Sequence, residues 1–573
     1  MAKVVLVCGR EGLPFLFTRT HVETLADRLT PDNIAPEALA AVPDARLLTG
    51  IFGPSSGVKR RGGSICAGWM TGPQGDWWRP GADVPDGTYA LFRADETAIE
   101  LVTDAVASRT IWYALTDRLF VASTSQRAIV FFLRDFDPEA SSRLWMLSSG
   151  TLGYRLSWDR RIRCLKGGER LTLNRKSWSI KVADAPLDFE PREAPPEEHI
   201  RALKQAMADT FGGLNLDLGK WVLPLSGGMD SRAILLHLKD SRDLRTITWG
   251  SQAARLKGEA DGSVAASLAQ HFNLRHEYFE IDPADEPAER ILDRFLIAGE
   301  GRIDQLAGYA DGFGVWRILH ERGCAGIIRG DTSLNGLRRK NTYSAYERWN
   351  CLTCADYSNL ARLPIADGSP RQARPEELAR RPYESFAAWR DRFYVQYGIP
   401  VRLAPLNDLK LPYVEVANPL LSRRVISCVR QLPEELRTDK RAFRDAIAGM
   451  GPDIAFSTRR ATARMSDTLG LRGVLRAILE RIDTRAARDM FSNELIDYAL
   501  NTARAEPPVR GKVARKIGRG VEKARRRLMP GGAKRTLNPR VLAFRVFIVC
   551  EMDRLLRSDG EVLKTNCTPS GSL

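Results

Sequence analysis

The residues best equipped for chemistry are gathered in Ser226–Ser231, SGGMDS. An apolar run precedes the hexapeptide (Trp221, Val222, Leu223, Leu225), and a second follows it (Ala233, Ile234, Leu235, Leu236, Leu238). The first run is short and continuous, as in a strand covered on both faces, and the second has helical character. Between them Gly227 and Gly228 bring bare backbone close to any ligand. The N–H groups of the turn and of the first helical residues are expected to be unsatisfied and to point one way. With the helix dipole, that makes a phosphate cradle. Ser226 and Ser231 add hydroxyl donors, and Asp230 can hold a magnesium ion on the phosphates. A second aspartate, Asp331, is delivered on a glycine turn in Gly326–Gly336, GIIRGDTSLNG, behind another apolar strand. Lys440 and Arg444 are four apart, which predicts one helix face; they can approach phosphate oxygens or pair with acids.

The elements that must position these groups follow from the pattern around them. Residues 1 to about 190 read as β-rich, with Val4–Val7 a strand candidate. Pro85–Ile129 alternates short apolar runs with turn residues, as antiparallel strands do. Asp184–Glu198 is a linker rich in proline and acid, and His199–Phe211 is a helix leading to the glycine turn. Beyond it, Leu244–Trp249 and His276–Ile281 are strands with a helix between them. This βα alternation predicts a doubly wound parallel sheet with ligands at the C-terminal strand ends. Leu225, Trp249 and Gly250 fall at those ends. Asp261 begins the next helix, where it serves as an N-cap or assists metal or nucleotide.

Composition narrows the class. The 573 residues are 44% hydrophobic and 27% charged, ordinary for a globular protein with two or three domains. No run approaches the ~20 apolar residues of a membrane span, and MAKVVLVCGREG is too short for a secretory signal. Nine cysteines without framework spacing suit a reducing cytoplasm. Cys351 and Cys354 form a CxxC with no second pair and read as free thiols; the six histidines are unclustered. Net charge is +16, concentrated between Arg504 and Arg535, where twelve Lys/Arg face two Glu. A solvated helix and loop is the reading preferred over an acidic or nucleic-acid partner.

SGGMDS resembles the SGGxDS pyrophosphate loop of N-type ATP pyrophosphatases, and the chain to about residue 470 resembles the asparagine synthetase family. The resemblance implies an α+β N-terminal domain like the class II amidotransferase β-sandwich (1–190). An α/β ATP pyrophosphatase domain with a helical tail follows (191–573). Its N-terminal marks are Asp86–Ala90, Ala107–Tyr113, Phe120–Ser123 and the hairpin Arg161–Leu173. Ala2 stands where that family has its nucleophilic cysteine, and Cys8, inside a strand, does not substitute, so no ammonia is expected from this half. The resemblance further implies ATP held by Ser226, Gly227, Gly228, Met229, Asp230, Ser231 and Gly330, with adenine on backbone at Leu225, Trp249 and Gly250. Mg²⁺ falls on Asp230 and Asp331. Thr332 replaces the neighbouring glutamate, as in β-lactam synthetases, which also lack it. The family has a lysine near Phe456–Asp467; this chain offers Arg459, Arg460 and Arg464, of which Arg460 is taken as the candidate. Asp230, Asp331, Lys440 and Arg460 make up the catalytic expectation.

The implied reaction is amide formation through an acyl-adenylate, releasing AMP and pyrophosphate. The closest character is that of lasso-peptide cyclases, which join an Asp or Glu side chain to a peptide's N-terminal amine. A precursor peptide and a leader-peptidase partner protein are the expected partners, with no membrane or nucleic acid. The alternatives are an ammonia-dependent asparagine synthetase, a β-lactam synthetase-like enzyme, and an inactive binding homologue.

Overall fold

The computed structural model describes residues 3–55, 57–72, 74–255, 258–335, 341–366, 368, 370–459, 462, 464–505 and 535–565. Ala2, Gly336, Arg460 and residues 506–534 of the basic tract lie outside them.

The strands, in chain order, are β1 (Lys3–Gly9), β2 (Ala38–Asp44), β3 (Leu47–Phe52), β4 (Val58–Arg61), β5 (Ser64–Thr71), β6 (Asp86–Ala94), β7 (Ala98–Thr103), β8 (Trp112–Leu115), β9 (Leu119–Ser123), β10 (Arg163–Cys164), β11 (Arg170–Asn174) and β12 (Ser179–Ala183), followed by β13 (Trp221–Pro224), β14 (Arg245–Gly250), β15 (Arg275–Glu280), β16 (Gly326–Ile328) and β17 (Glu415–Ala417). The first twelve form two sheets, ordered β10-β8-β9-β1-β3-β2 and β12-β11-β7-β6-β5-β4. All their pairings are antiparallel. β1 explains why its sequence is apolar throughout. Val4, Leu6 and Cys8 pack between the sheets with Phe92, Leu101 and Leu171. Val5 and Val7 point the other way, into a cluster with Leu25 and Ile129. A strand buried on both faces cannot alternate.

The last five strands form one parallel sheet, β15-β14-β13-β16-β17. The order runs outward from β13 in both directions, so the topological switch lies between β13 and β16, where α/β sheets open a ligand crevice. The expected helix before β13 is present as Pro196–Gly212, and the expected strands as β14 and β15.

A 27-residue helix, Pro539–Thr565, joins the two halves. It packs on the helix Gln126–Leu133 of the antiparallel half. Arg127 donates to Asp559 at 2.6 and 3.0 Å. Arg545 donates to Asp304 at 2.7 Å and to the carbonyls of Leu147 and Ser148. One apolar cluster therefore runs from Val5 and Ile129 through Phe295 to Phe547. No helix among the described residues is long and apolar enough to cross a membrane.

Candidate active site at the ends of two parallel strands

β13 delivers SGGMDS as expected, and the helix Met229–Leu238 begins inside it with Gly228 as N-cap. Its N–H groups differ from the open cradle that the sequence suggests. Ser226 N–H donates to the Ser231 hydroxyl at 3.1 Å, and Gly228 N–H to the Ser226 hydroxyl at 3.2 Å. Gly227 N–H donates to the Asp261 carboxylate at 3.2 Å. The two serine hydroxyls are 3.0 Å apart. These three donors are met within the fold, since an unpaired amide here would cost about as much as a lost hydrogen bond. Asp261 is not an N-cap: Ala260 is, and Asp261 is the first helical residue. Its carboxylate also accepts from the Ser457 hydroxyl at 2.6 Å, and Ser457 N–H donates to Gly227 O at 3.0 Å. A Cβ on Gly227 would collide with the Ser457 side chain. Sequence reasoning missed Ser457, whose only local signal is a serine in a loop.

Asp230 lies in the first turn of its helix and meets Lys440 Nζ at 2.7 Å through both carboxylate oxygens. Lys440 does not share a helix face with Arg444. It precedes the helix Arg441–Ile447, which contains Arg444, as a left-handed N-cap. Asp439 and Lys440 have φ of 52° and 54°, two consecutive non-glycine residues in a region costing of order 1–3 kcal/mol each. The strained turn aims the ammonium at Asp230. Both side chains keep some solvent contact, 20% and 30%, so the pair is worth no more than about 1 kcal/mol and is displaceable. Burial raises the Asp230 carboxyl above its usual range; Lys440 opposes this and nearby Asp331 adds to it.

Asp331 follows β16. A Cβ on Gly330 would lie 2.9 Å from Asp230 Cβ and 3.0 Å from its carbonyl carbon. Only glycine lets the two strand ends close on each other. Asp331 is buried and held firmly: Arg329 donates to one oxygen at 3.1 Å and Asn407 to the other at 3.0 Å. Burial works to raise its carboxyl, but Arg329, Asn407 and the buried Lys410 together bring it below the usual range. Lys410 donates to Leu406 O at 2.5 Å and lies 5.5 Å from the Trp316 ring centre. Burial, then Arg329, push its ammonium well below the usual lysine range. Arg329, Asn407 and Lys410 were missed; a polar NDLK in an apolar run was the signal for the last two, and an arginine two residues before Asp331 for the first. Thr332, where the resembling family has glutamate, is buried, and its carbonyl accepts from the Tyr394 hydroxyl at 2.7 Å.

Three carboxylates, Asp230, Asp331 and Asp261, and three basic side chains, Lys440, Arg329 and Lys410, thus line the crevice, so a polyphosphate would meet basic groups beside metal-binding oxygens. Hard carboxylate oxygens suit Mg²⁺, and Asp230 with Asp331 would hold it. Among the described residues no cluster of three or more His, Cys, Asp or Glu is placed to hold a metal, so phosphate and water oxygens would complete the shell. Leu225 and Trp249 lie at neighbouring strand ends. Leu225 N–H donates to Ile247 O at 2.8 Å, and its carbonyl accepts from Thr248. The Gly250 carbonyl accepts from Ile281 N–H at 3.0 Å. Arg459 joins the crevice wall through its N–H on Glu259 O at 3.3 Å.

Residues 221–303 match the asparagine synthase family model. No curated protein matches the chain. Among solved structures, an NH3-dependent NAD synthetase from Campylobacter jejuni subsp. jejuni is 16% identical, with a TM-score of 0.16. The match covers 25% of this chain and 58% of that one, so the chain spans under two thirds of that synthetase. An allosteric regulatory enzyme of purine biosynthesis is 10% identical over 49% of this chain and 81% of its own, with a TM-score of 0.20. The matched family segment holds the SGGMDS loop, Asp261 and the strands β13 to β15, while Asp331 and Lys440 lie beyond it. The likeness to the asparagine synthase family thus rests on the segment 221–303, with its strand, turn, helix and parallel neighbours in place.

Proposed function

We propose that the protein is an ATP-dependent ligase that adenylates a carboxylate and joins it to an amine, and that its substrate is a peptide closed into a macrolactam. The observation that carries the ligase reading is the approach of Asp230 and Asp331 across Gly330 at the switch between β13 and β16.

A carboxylate oxygen attacks the α-phosphorus of ATP; the O–Pα bond forms, and the bond to the β-phosphate oxygen breaks. Pyrophosphate leaves with that electron pair. The amine then attacks the acyl carbon, the bond to AMP breaks, and the nitrogen loses a proton. A bound Mg²⁺ supplies charge neutralisation to the pyrophosphate. The chain's own residues do the positioning. Phosphate oxygens exchange with Asp261 for Gly227 N–H, and Lys440 moves from Asp230 to the phosphates, where its charge opposes the one developing on the leaving group. Ser226, Gly228, Met229 and Ser231 line the same turn, with adenine against Leu225, Trp249 and Gly250. Arg460, outside the described residues, is the proposed cation for the leaving group, with Arg459 and Arg464 its alternatives.

The amidotransferase-like half supports an amine that is already on the substrate. Cys8 is fully buried between the sheets, and burial pushes its thiol up. Asp86 accepts the N–H of Arg423 and of Arg424, closing a helix of the other half. Arg109 is paired with buried Glu415. An α-amine, with a pKa near ~7.7–8, is nucleophilic without a dedicated base, which favours a peptide N-terminus. A leader peptidase would supply that terminus. ATP use and free cysteines suit the cytoplasm. The test is incubation with ATP, Mg²⁺ and Asp- or Glu-containing peptides with free N-termini. AMP, pyrophosphate and a product lighter by one water are expected. AMP formation with aspartate and ammonia alone would favour asparagine synthesis, and no AMP with any carboxylate would favour an inactive homologue.

A further inference from the structure

A cavity of about 300 Å³ lies between the two halves, away from the glycine turn. One side is the antiparallel half: Val106, Trp112, Leu152, Leu156 and the linker around Leu187. The other is the segment 394–405, through Val395, Gln396, Pro400, Val401 and Pro405. Tyr394–Leu403 is a wide π-helix carrying Pro400, a geometry that recurs at functional sites. Tyr394, at its start, donates to Thr332 O, and Asn407, in the helix Ala404–Asp408 that follows it, donates to Asp331.

Six of the seven charged side chains on the cavity wall, all but the exposed Glu376, are in ion pairs. Arg155 pairs with Glu377 at 3.4 Å, and Lys166 with Glu377 at 3.3 Å and Glu169 at 3.7 Å. Arg302 pairs with Asp408 and donates to the Thr110 hydroxyl at 2.6 Å. Arg381 pairs with Asp188 at 2.9 Å. A charged ligand would compete with these pairs and lose its own hydration, a cost an uncharged one does not meet. An uncharged apolar group only displaces water from Trp112, Leu152 and Val401. The volume is at the lower end for ligand sites and suits one or two large side chains better than a nucleotide.

We propose that this interdomain cavity is a binding site for an uncharged, apolar stretch of the substrate peptide, seated against the helical segment whose ends hold Thr332 and Asp331. The proposal rests on the peptide-ligase reading and sharpens it. A chain bound there packs on the segment that runs from Tyr394 toward Asn407, so occupancy and the placement of Asp331 are linked through one stretch of chain.

The probe is N-acetyl-Phe-Leu-amide, a neutral capped dipeptide, with zwitterionic Phe-Leu as the charged control, both followed by ligand-observed NMR on the full chain. Leu156→Trp and Leu187→Trp each fill the cavity from a half-buried position, so one can stand in if the other misfolds. The capped dipeptide is expected to bind at least tenfold more tightly than the zwitterion. Both tryptophan variants should weaken it tenfold or more while leaving thermal protection by Mg·ATP unchanged. Equal binding of the two dipeptides, no binding of either, or binding untouched by both variants overturns the site. The two readings fail separately. Dipeptide binding without AMP formation from any carboxylate sinks the ligase and keeps the site; AMP formation from a small carboxylate without dipeptide binding does the reverse.

Discussion

The antiparallel half and the parallel sheet both carry buried or half-buried polar residues, but they hold them differently. In the antiparallel half those residues are committed to permanent contacts: Asp86 closes a helix, Arg109 pairs with Glu415, and Asp104 is buried and accepts from Tyr89 N–H at 3.1 Å and Val106 N–H at 3.0 Å. In the parallel sheet the corresponding contacts are exchangeable. Asp261 takes the place of an anion on Gly227, and Lys440 takes the place of a cation on Asp230, through partly exposed and individually weak bonds. Polar residues locked into permanent contacts are closed to a ligand, whereas those with replaceable partners stay open to one.

Substitutions can break or sharpen that contrast. Asp230→Ala should cost the most, a fall in AMP formation of about 10³-fold with loss of Mg²⁺-dependent thermal protection by ATP; retained turnover would remove the parallel sheet from the chemistry. Gly330→Ala should follow, because a methyl 2.9 Å from Asp230 forces the strand ends apart. We expect about 1–3 kcal/mol of destabilisation by chemical denaturation and a tenfold or larger loss of rate. Lys440→Met should have mixed signs: pyrophosphate release slower by about tenfold, but Mg²⁺ binding to the nucleotide-free protein, measured calorimetrically, tighter by a few-fold as Asp230 is freed. Tighter binding of both ATP and metal would show that the lysine is only a block. Asp86→Ala should be smallest for activity, within twofold of wild type, while stability falls by about 1 kcal/mol through the lost helix cap. A tenfold loss of activity there would mean that the antiparallel half still works.

The strand–turn–helix around SGGMDS was legible because its change of period is local, and the parallel sheet followed from the βα alternation. Asp331 was legible as an aspartate on a glycine turn. The partners that complete the crevice were not. Asp261 reads as a helix-start residue able to assist metal or nucleotide, but its contact with Gly227, and that of Ser457, 34 and 230 residues away, appear only in the folded sheet. Lys440 read as a helix-face residue because its i, i+4 spacing to Arg444 is helical. A left-handed pair at Asp439 and Lys440 runs against the propensity of both residues and is imposed by tertiary contacts. The helix Pro539–Thr565 gave no sign of its role, since the groups it ties, Arg28, Arg127 and Asp304, are remote in sequence.

The most direct test of the central claim, that the crevice between β13 and β16 adenylates a carboxylate, is the fate of oxygen. A peptide carrying ¹⁸O in its Asp or Glu carboxylate, turned over with ATP and Mg²⁺, should yield AMP bearing one ¹⁸O. Label in inorganic phosphate with ADP as the nucleotide product, or AMP without label, would contradict it.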